Sequence, residues 1–569
     1  MKPAVKPAAK PAAKPAAKSW SLHERRLGLE RAEREGVDLL VIGGGVTGAA
    51  VLRDAASRGL RAFLVERDDF AAGTSGHSSK MIHGGLRYIG EGALGVVRES
   101  CRERDRLLRL DPELVRPVRF LLPSYEGGKL PLWQVRAALV VYAALANFRR
   151  TARFQMLSPD EALRFCPALR REGLRGAGVY VDGQVDDARL VLETLKSARR
   201  LGGEAANHAE VIEFLVGEGG SVRGARVRDA LSGRTFELRA AALVNAAGPA
   251  VERVRGLQRR GEAARLRPAK GIHLVIPRER IRTQGCVTFQ AEDGRQLFLH
   301  PIGDVALLGT TDAWSEEIDA PGVTIEEVHY LLDAANRAFP EAALTTNDLR
   351  SVYAGVRPLV ASEDAGSPVS SVSREHRVET DASGLVSAWG GKLTTHRAMA
   401  EDIVDRATRR LAHERRFGRS RTWELPLRDE RIDAAGLARE IEGLHALPPA
   451  CADELVRSHG AEALVLLAEA PPKLRAPIGS SRFVWAAVPW ALRHECAATL
   501  CDVLERRVRL AVFAIGQGTA ELATLARVAG EAAGWDEART RTEAVAYADS
   551  VRRRYQIVAP TPRSARTAA

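Results

Sequence analysis

The sequence lacks several features, and each shortage excludes a class of protein. Its six cysteines, Cys101, Cys166, Cys286, Cys451, Cys496 and Cys501, form no C-x-x-C pair. Neither a disulfide framework nor a thiolate zinc site fits that spacing, so a reducing, cytosolic compartment is expected and no metal. His494, Cys496 and Cys501 lie close together, but they read as helix packing rather than a ligand set. Met1–Lys18 has no apolar core, so no signal peptide is expected there. No apolar run reaches the roughly 20 residues that cross a bilayer. The strongest, Ala137–Ala146, reads as a buried core helix. A helix lying in a membrane interface is the alternative, since Trp133, Arg136, Tyr142, Arg149 and Arg150 accompany the run.

What is present is ordinary globular material: 569 residues, 45% hydrophobic and 27% charged, enough for two or three domains. A formal net charge of +12 suits nucleic acid, an anionic membrane face or an anionic substrate, and composition does not choose among them. Part of the excess sits in Met1–Lys18, a K-P-A-A repeat whose prolines remove helical hydrogen bonds. Residues 1–25 are therefore expected to be a disordered tail. No nucleic-acid module follows it, and no nucleic-acid partner is expected. Mixed strand and helix signals run from about residue 35 to 425. Ala/Leu-rich amphipathic stretches (434–444, 461–468, 496–512) then predict a separate helical domain over 426–569.

The most specific local pattern is β-α-β. An apolar strand at Asp38–Ile42 leads through Gly43, Gly45 and Gly48 into a helix predicted over Val46–Arg58, and a second strand is predicted at Ala62–Val65. The three glycines serve a tight turn, close backbone approach to a pyrophosphate, and close helix–strand packing. The helix N-terminus offers unpaired N–H groups to phosphate. Glu66 ends the second strand, where a carboxylate accepts hydrogen bonds from ribose hydroxyls. The motif alone does not separate FAD from NAD. The following loop, Gly73–Tyr88, is rich in small and hydroxyl residues and placed to wrap a pyrophosphate and a flavin edge, which favours FAD.

DLLVIGGGVTGAAVLRDAASRGL and SSKMIHGGLRYI together resemble the amino-terminal signature of FAD-dependent glycerol-3-phosphate dehydrogenases of the respiratory, aerobic type. The likeness continues in order through YVDGQVDDARLVLETL (180–195), LVNAAGP (243–249), AKGIHLVIP (269–277), LLGTTDAW (307–314), YAGVRPLV (353–360), VSREHRVE (372–379), GGKLTTHR (390–397) and HECAATLCDVLERR (494–507). The resemblance implies a mixed α/β fold: a Rossmann-like FAD-binding domain (about 35–100, 160–265 and 355–425), a mixed-sheet substrate domain (about 101–159 and 266–354) and a helical C-terminal domain. It implies oxidation of sn-glycerol 3-phosphate to dihydroxyacetone phosphate with electrons passed to a quinone. It further implies an enzyme held peripherally on the cytoplasmic face of an anionic membrane, and it leaves room for a homodimer.

It also implies roles. Arg87 with Tyr88 and Arg374 would hold the phosphate, a task that suits the planar arginine fork. Arg357 and Lys392 would stabilise the developing alkoxide. His83 and His273 are the candidate imidazoles, and the general base stays open between them and other groups, with His83 preferred as a flavin contact. Thr74, Ser75, Ser79, Lys80, Ile82, Gly248, Gly391, Leu393 and Thr395 would line the cofactor, and a helix predicted from about Leu393 would turn its positive end toward the flavin. Asp186 and Asp187, adjacent in sequence, cannot share one substrate, and Asp187 is expected to cap the next helix. Three rivals remain: an oxygen-using glycerol-3-phosphate oxidase, an amine or hydroxy-acid oxidase on the same fold, and a flavin-free binding protein.

Overall fold

A computed structural model describes residues 20–149, 151, 153–258, 266–360, 376–409 and 417–558. The K-P-A-A repeat and Arg374 lie outside them. The described residues include the last part of the expected tail, residues 20–25. Leu22–Glu35 is a helix, capped by Ser21 and Glu24 in a reciprocal box, and Trp20 before it is buried in a stack on Phe70.

Two sheets make the framework. In the first, Val386–Trp389, Thr235–Asn245, Val37–Ile42, Ala62–Val65 and Glu204–Ala206 lie side by side in parallel, with Arg377–Thr380 antiparallel on the outer edge. The continuous apolar character of 39–42 and 62–65 follows from cover on both faces. Leu39, Val41 and Leu64 pack with the helix Val46–Ser57, the helix Asp187–Arg200 and the helix His396–Thr408. Leu40, Ile42, Phe63 and Val65 point the other way, onto Val211, Phe214, Val227 and Phe236 of an antiparallel meander. That meander runs through Ala209–Val216, Val222–Asp229 and Thr235–Asn245, and its last strand is itself a member of the parallel sheet. The glycine-motif helix ends at Ser57 rather than Arg58, with Gly59 just past it at φ 83°.

The second sheet runs Ala313–Trp314, Leu266–Pro277, Val305–Gly309, Gln296–Ile302, Cys286–Gln290, Arg116–Tyr125, Leu174–Gln184 and Met81–Ile82, and Ser351–Val360 also pairs with Leu266–Pro277. Ile272, Leu274 and Ile276 face a core closed by the helix Ile325–Ala338. The intervening positions of the same strand, including Gly271 and His273, face the other way. The apolar run at 137–146 sits in the helix Leu132–Leu145, which is half core and half surface. Val135, Leu139, Tyr142 and Ala143 are buried, whereas Trp133 is 69% exposed. No helix among the described residues is long and apolar enough to cross a membrane.

The C-terminal region is helical as expected, but its predicted 496–512 helix is broken into a wide turn at Asp502–Arg507 and a short helix at Leu510–Phe513, with Arg509 between them at φ 65°. The break turns the charged side chains inward. Arg506 and Arg507 both pair with Asp69 beyond the second strand of the glycine motif, and Arg506 also pairs with Asp502. Cys496 and Cys501 bind no common partner with His494, which pairs with Glu469.

Asp187 departs from its expected role for a related reason. Asp186 is the cap, accepting from Arg189 N at 3.0 Å. Asp187 is fully buried, with Lys80 Nζ at 2.8 Å, Arg509 at 2.9 Å, and the Ser78 amide and hydroxyl each at 2.8 Å. Burial alone would raise its carboxyl, but Lys80 and Arg509 outweigh this and hold it at about 2. Replacing Asp187 with Asn leaves two buried cations short of their counter-charge and should cost about 3–5 kcal/mol by urea denaturation at neutral pH. Because the folded value is depressed, the stabilisation is complete above the ordinary carboxylate range and is lost as pH falls through about 2. The gap between the two proteins should therefore narrow below about pH 4. An unchanged denaturation midpoint would show the triad to be dispensable.

Candidate active site

The glycine turn, the 72–79 loop, the 246–250 turn and the inner face of the second sheet enclose a cavity of about 400 Å³. Its dinucleotide end is built as the motif demands. Gly43 turns the chain at φ 112°, and a Cβ on Gly48 would lie 1.9 Å from the Gly43 carbonyl oxygen, so only glycine allows the helix this close to the strand. Gly45 lines the cavity at the helix N-terminus, where the Val46 amide meets Ser75 Oγ at 2.9 Å. Glu66 accepts from the amides of Gly44 at 2.6 Å and Asp68 at 2.9 Å, which aims its carboxylate at the cavity wall. Amide donors, a helix end and an acceptor carboxylate, with no side chain in the turn, fit a dinucleotide pyrophosphate and ribose.

The opposite wall comes from the paired strands Leu266–Pro277 and Ser351–Val360, with Gly271 opposite Gly355 and His273 opposite Tyr353. Alternation puts Gly271, His273, Gly355 and Arg357 on the cavity side. Arg357 is held by Asp312 at 2.9 Å and Thr310 Oγ1 at 3.1 Å. A Cβ on Gly271 would sit 2.4 Å from its guanidinium, so the bare backbone there makes the space for this fork. Burial, followed by the charges of Arg357 and Lys80, pushes the His273 imidazole well below its ordinary value, so the ring is neutral at pH 7.

The third wall is the Gly390–Leu393 loop. Lys392 Nζ stands 3.9 Å from the centroid of Tyr88, and Arg87 reaches the Tyr88 hydroxyl at 3.3 Å. His83 is joined through its backbone to Thr394, which ties this loop to the 73–88 segment.

Most of the expected residues therefore converge. Gly43, Gly45, Glu66, Thr74, Ser75, Ser79, His83, Tyr88, Gly248, His273, Arg357, Gly391, Lys392 and Leu393 all line the cavity. Lys80 does not: an ammonium with no solvent contact needs a fixed counter-charge, and Asp187 supplies it in the core. Ile82 is fully buried in the core. Thr395 is buried at the start of a helix that begins at His396, three residues later than expected, so it too stands back from the cavity. Arg87 is exposed beside Tyr88 rather than inside, and Gly48 packs beneath the turn. Arg374 falls outside the described residues.

Several wall residues were not singled out individually in the sequence. His77 is buried at the cavity edge, its imidazole pushed down to about 4 by burial and then by Arg554. Arg554 arrives from the far C-terminal helix, and Asp319 bridges Arg67 and Arg253 across the rim. Asp312 lies within the quoted LLGTTDAW motif, but its pairing with Arg357 spans 45 residues and is visible only in three dimensions.

Comparisons with known proteins agree with this geometry. Residues 38–397 match the FAD dependent oxidoreductase family, and residues 420–540 match the C-terminal domain of alpha-glycerophosphate oxidase. The aerobic glycerol-3-phosphate dehydrogenase of Bacillus subtilis is 35% identical over 494 residues, covering 84% of this chain and 88% of that protein. The enzyme of the same name from Staphylococcus aureus is 40% identical over 376 residues, covering 66% and 67%. The solved glycerol-3-phosphate dehydrogenase of Bacillus halodurans, complexed with FAD, superposes with a TM-score of 0.77 at 28% identity, covering 94% of this chain and 98% of that one. The L-alpha-glycerophosphate oxidase of Mycoplasma pneumoniae shares the fold, with a TM-score of 0.54 at 18% identity over 70% of this chain and all of that one. The chain belongs to the FAD-dependent oxidoreductase family and, within it, to the aerobic glycerol-3-phosphate dehydrogenases, and its cofactor is FAD.

Gly48→Ala should purify with little bound flavin, because its methyl group meets backbone rather than a mobile side chain. The ratio of absorbance near the flavin band to that of protein reads this directly, and a fully yellow variant would refute the packing argument.

Proposed function

We propose that the protein oxidises sn-glycerol 3-phosphate to dihydroxyacetone phosphate and passes the electrons to a quinone while docked on an anionic membrane face. The observation that carries the reading is the convergence on one cavity of a neutral imidazole, His273, and Arg357 from the wall facing the dinucleotide cradle with Lys392 from the Gly390–Leu393 loop. Bound FAD supplies the hydride acceptor for the substrate's secondary carbon. His273 takes the hydroxyl proton, a role open to it because burial keeps the ring unprotonated. Arg357, oriented by Asp312 and Thr310, and Lys392, seated against Tyr88, stabilise the negative charge that grows on the oxygen. The resemblance gives the phosphate dianion to Arg374 and to Arg87 with Tyr88; of these Tyr88 lines the cavity, and Arg87 reaches its hydroxyl from an exposed position outside. His83 keeps the role of cofactor contact, since it lines the cavity beside Leu393.

The quinone and membrane parts rest on surface chemistry. Trp133, Val140, Val141 and Phe148 are exposed in and just after one helix, with Arg136 and Arg149 exposed among them. Aromatic and basic side chains on one helix suit an anionic lipid interface. The C-terminal match to an alpha-glycerophosphate oxidase domain favours oxygen as the second reading of the acceptor.

Glycerol 3-phosphate should bleach the flavin of the anaerobic holoenzyme, whereas glycine and 2-hydroxyglutarate should not. A quinone analogue should then restore the yellow colour faster than air does. Stoichiometric peroxide on mixing with air would move the reading to the oxidase. Arg357→Lys keeps the charge but loses the fork, and should lower kcat/KM by about an order of magnitude or more; unchanged turnover would remove Arg357 from the site.

Flotation with phosphatidylglycerol vesicles should carry the wild type upward and leave the Trp133→Glu/Phe148→Glu variant behind, with turnover on a soluble acceptor equal in both. Equal flotation would exclude this helix as the docking surface.

A further inference from the structure

The wall that carries His273 backs onto a second buried histidine for which the proposed reaction has no use. His300, on the strand Gln296–Ile302, has no solvent exposure. Its Nδ1 lies 3.2 Å from the carbonyl oxygen of Ser79, and Ser79 Oγ lies 2.9 Å from Nε2 of His273. One serine thus bridges two buried imidazoles.

The hydrogen inventory of this bridge is restrictive. A peptide carbonyl only accepts, so His300 donates from Nδ1–H and, being neutral, carries no proton on Nε2. Burial, with Lys80 nearby, pushes His300 down to about 4 and keeps it in that form. At the other end, His273 is clamped in place by its stack on Tyr353, with centroids 4.8 Å apart and planes at 16°. Its Nε2 is engaged by Ser79, and its Nδ1 is a buried atom with no hydrogen-bond partner among the described residues, on a ring that forms part of the cavity wall. Two tautomers are available. If Ser79 Oγ–H donates to Nε2, then Nδ1 already holds the ring proton and neither nitrogen has a lone pair to offer. If Nε2–H donates to Ser79 Oγ, the Nδ1 lone pair is open.

We propose that Ser79, anchored through its carbonyl by His300, is the positioning residue that keeps His273 in the Nε2–H tautomer and so leaves Nδ1 to receive the substrate's hydroxyl proton. The inference rests on the glycerol 3-phosphate reading above. In the step, the substrate O–H bond breaks and an Nδ1–H bond forms. The substrate's C–H pair leaves as hydride to bound FAD, and a carbonyl remains. The imidazolium produced keeps its Nε2–H on Ser79 Oγ, which stabilises it. That help is needed, because the groups around the ring mostly oppose a positive charge. Arg357 from the adjoining strand and Lys80 from the 78–80 turn are cations, and His77 also disfavours the charged form. Asp187, from the helix that follows the Leu174–Gln184 strand, favours it, and Tyr353 and Phe298 pack on the ring without charge.

The test compares holoenzyme variants Ser79→Ala, Ser79→Thr and His300→Leu in single-turnover reduction of the flavin by glycerol 3-phosphate, in H2O and D2O. FAD content and the perturbation of the flavin band by dihydroxyacetone phosphate are measured alongside. Ser79→Ala should slow reduction at least about tenfold. Its solvent isotope effect should rise, because proton transfer becomes more limiting, while FAD content and product binding hold. Ser79→Thr, which keeps the hydroxyl, should restore most of the rate. His300→Leu, whose side chain stands behind the wall, should show the same two changes to a smaller extent. An unchanged rate and isotope effect in Ser79→Ala, or a slow step that simply follows loss of FAD in both Ser79→Ala and His300→Leu, overturns the positioning role. Failure of glycerol 3-phosphate to reduce the wild type would instead overturn the substrate reading, and this inference with it.

Discussion

The buried ion group around Asp187 is the constraint on which the rest of the site depends. Lys80 and Arg509 reach the same carboxylate, one from the loop behind the cofactor cradle and the other from the C-terminal region. The Ser78 amide and hydroxyl fill its second oxygen. Three distant stretches of chain therefore meet at one point without water, where leaving any charge unmatched is expensive. The residues on either side, His77, Ser78 and Ser79, inherit their positions from it, and all three face the cavity. The Asp69 group does parallel work a short way along the chain, tying the segment after Glu66 to Arg506 and Arg507.

On that frame the cavity divides its chemistry by strand alternation. Odd-numbered positions of 271–273 and 355–357 supply a histidine, an arginine and two glycines to the inner side, while Ile272 and Leu274 close the core behind them. The glycines are as consequential as the charged groups, since the Arg357 fork occupies the space that a side chain at 271 would fill. Burial has opposite consequences for the two kinds of group. It strips the imidazoles of charge, whereas the Arg357 guanidinium stays protonated beside a fixed acid, Asp312. Neutral proton acceptors next to permanent cations are what alcohol oxidation requires.

The readable part of the protein was local. The Gly43–Gly48 turn, both of its strands and the polar 73–79 loop follow from periodicity and turn chemistry, and their residues lie where that chemistry needs them. Misreadings came where a polar residue had two uses. Asp187 and Lys80 look like a cap and a cofactor contact in sequence, yet each is the other's counter-charge. Thr395 fell behind the wall because one 3-10 turn, Leu393–Thr395, delays the helix to His396. The expected 496–512 helix was broken because its arginines are drawn inward to Asp69, Asp186 and Asp187.

By itself the sequence determined that a dinucleotide is bound, where its pyrophosphate lies, and which cations belong to motifs. These depend on backbone turns and residue spacing within a few dozen positions. Only the tertiary structure decided which cations face the cavity, which imidazole is neutral, and that Ser79 joins two histidines 27 residues apart on strands separated by Val305–Gly309. Charge state and tautomer are set by desolvation and by partners far along the chain, and no local pattern records either.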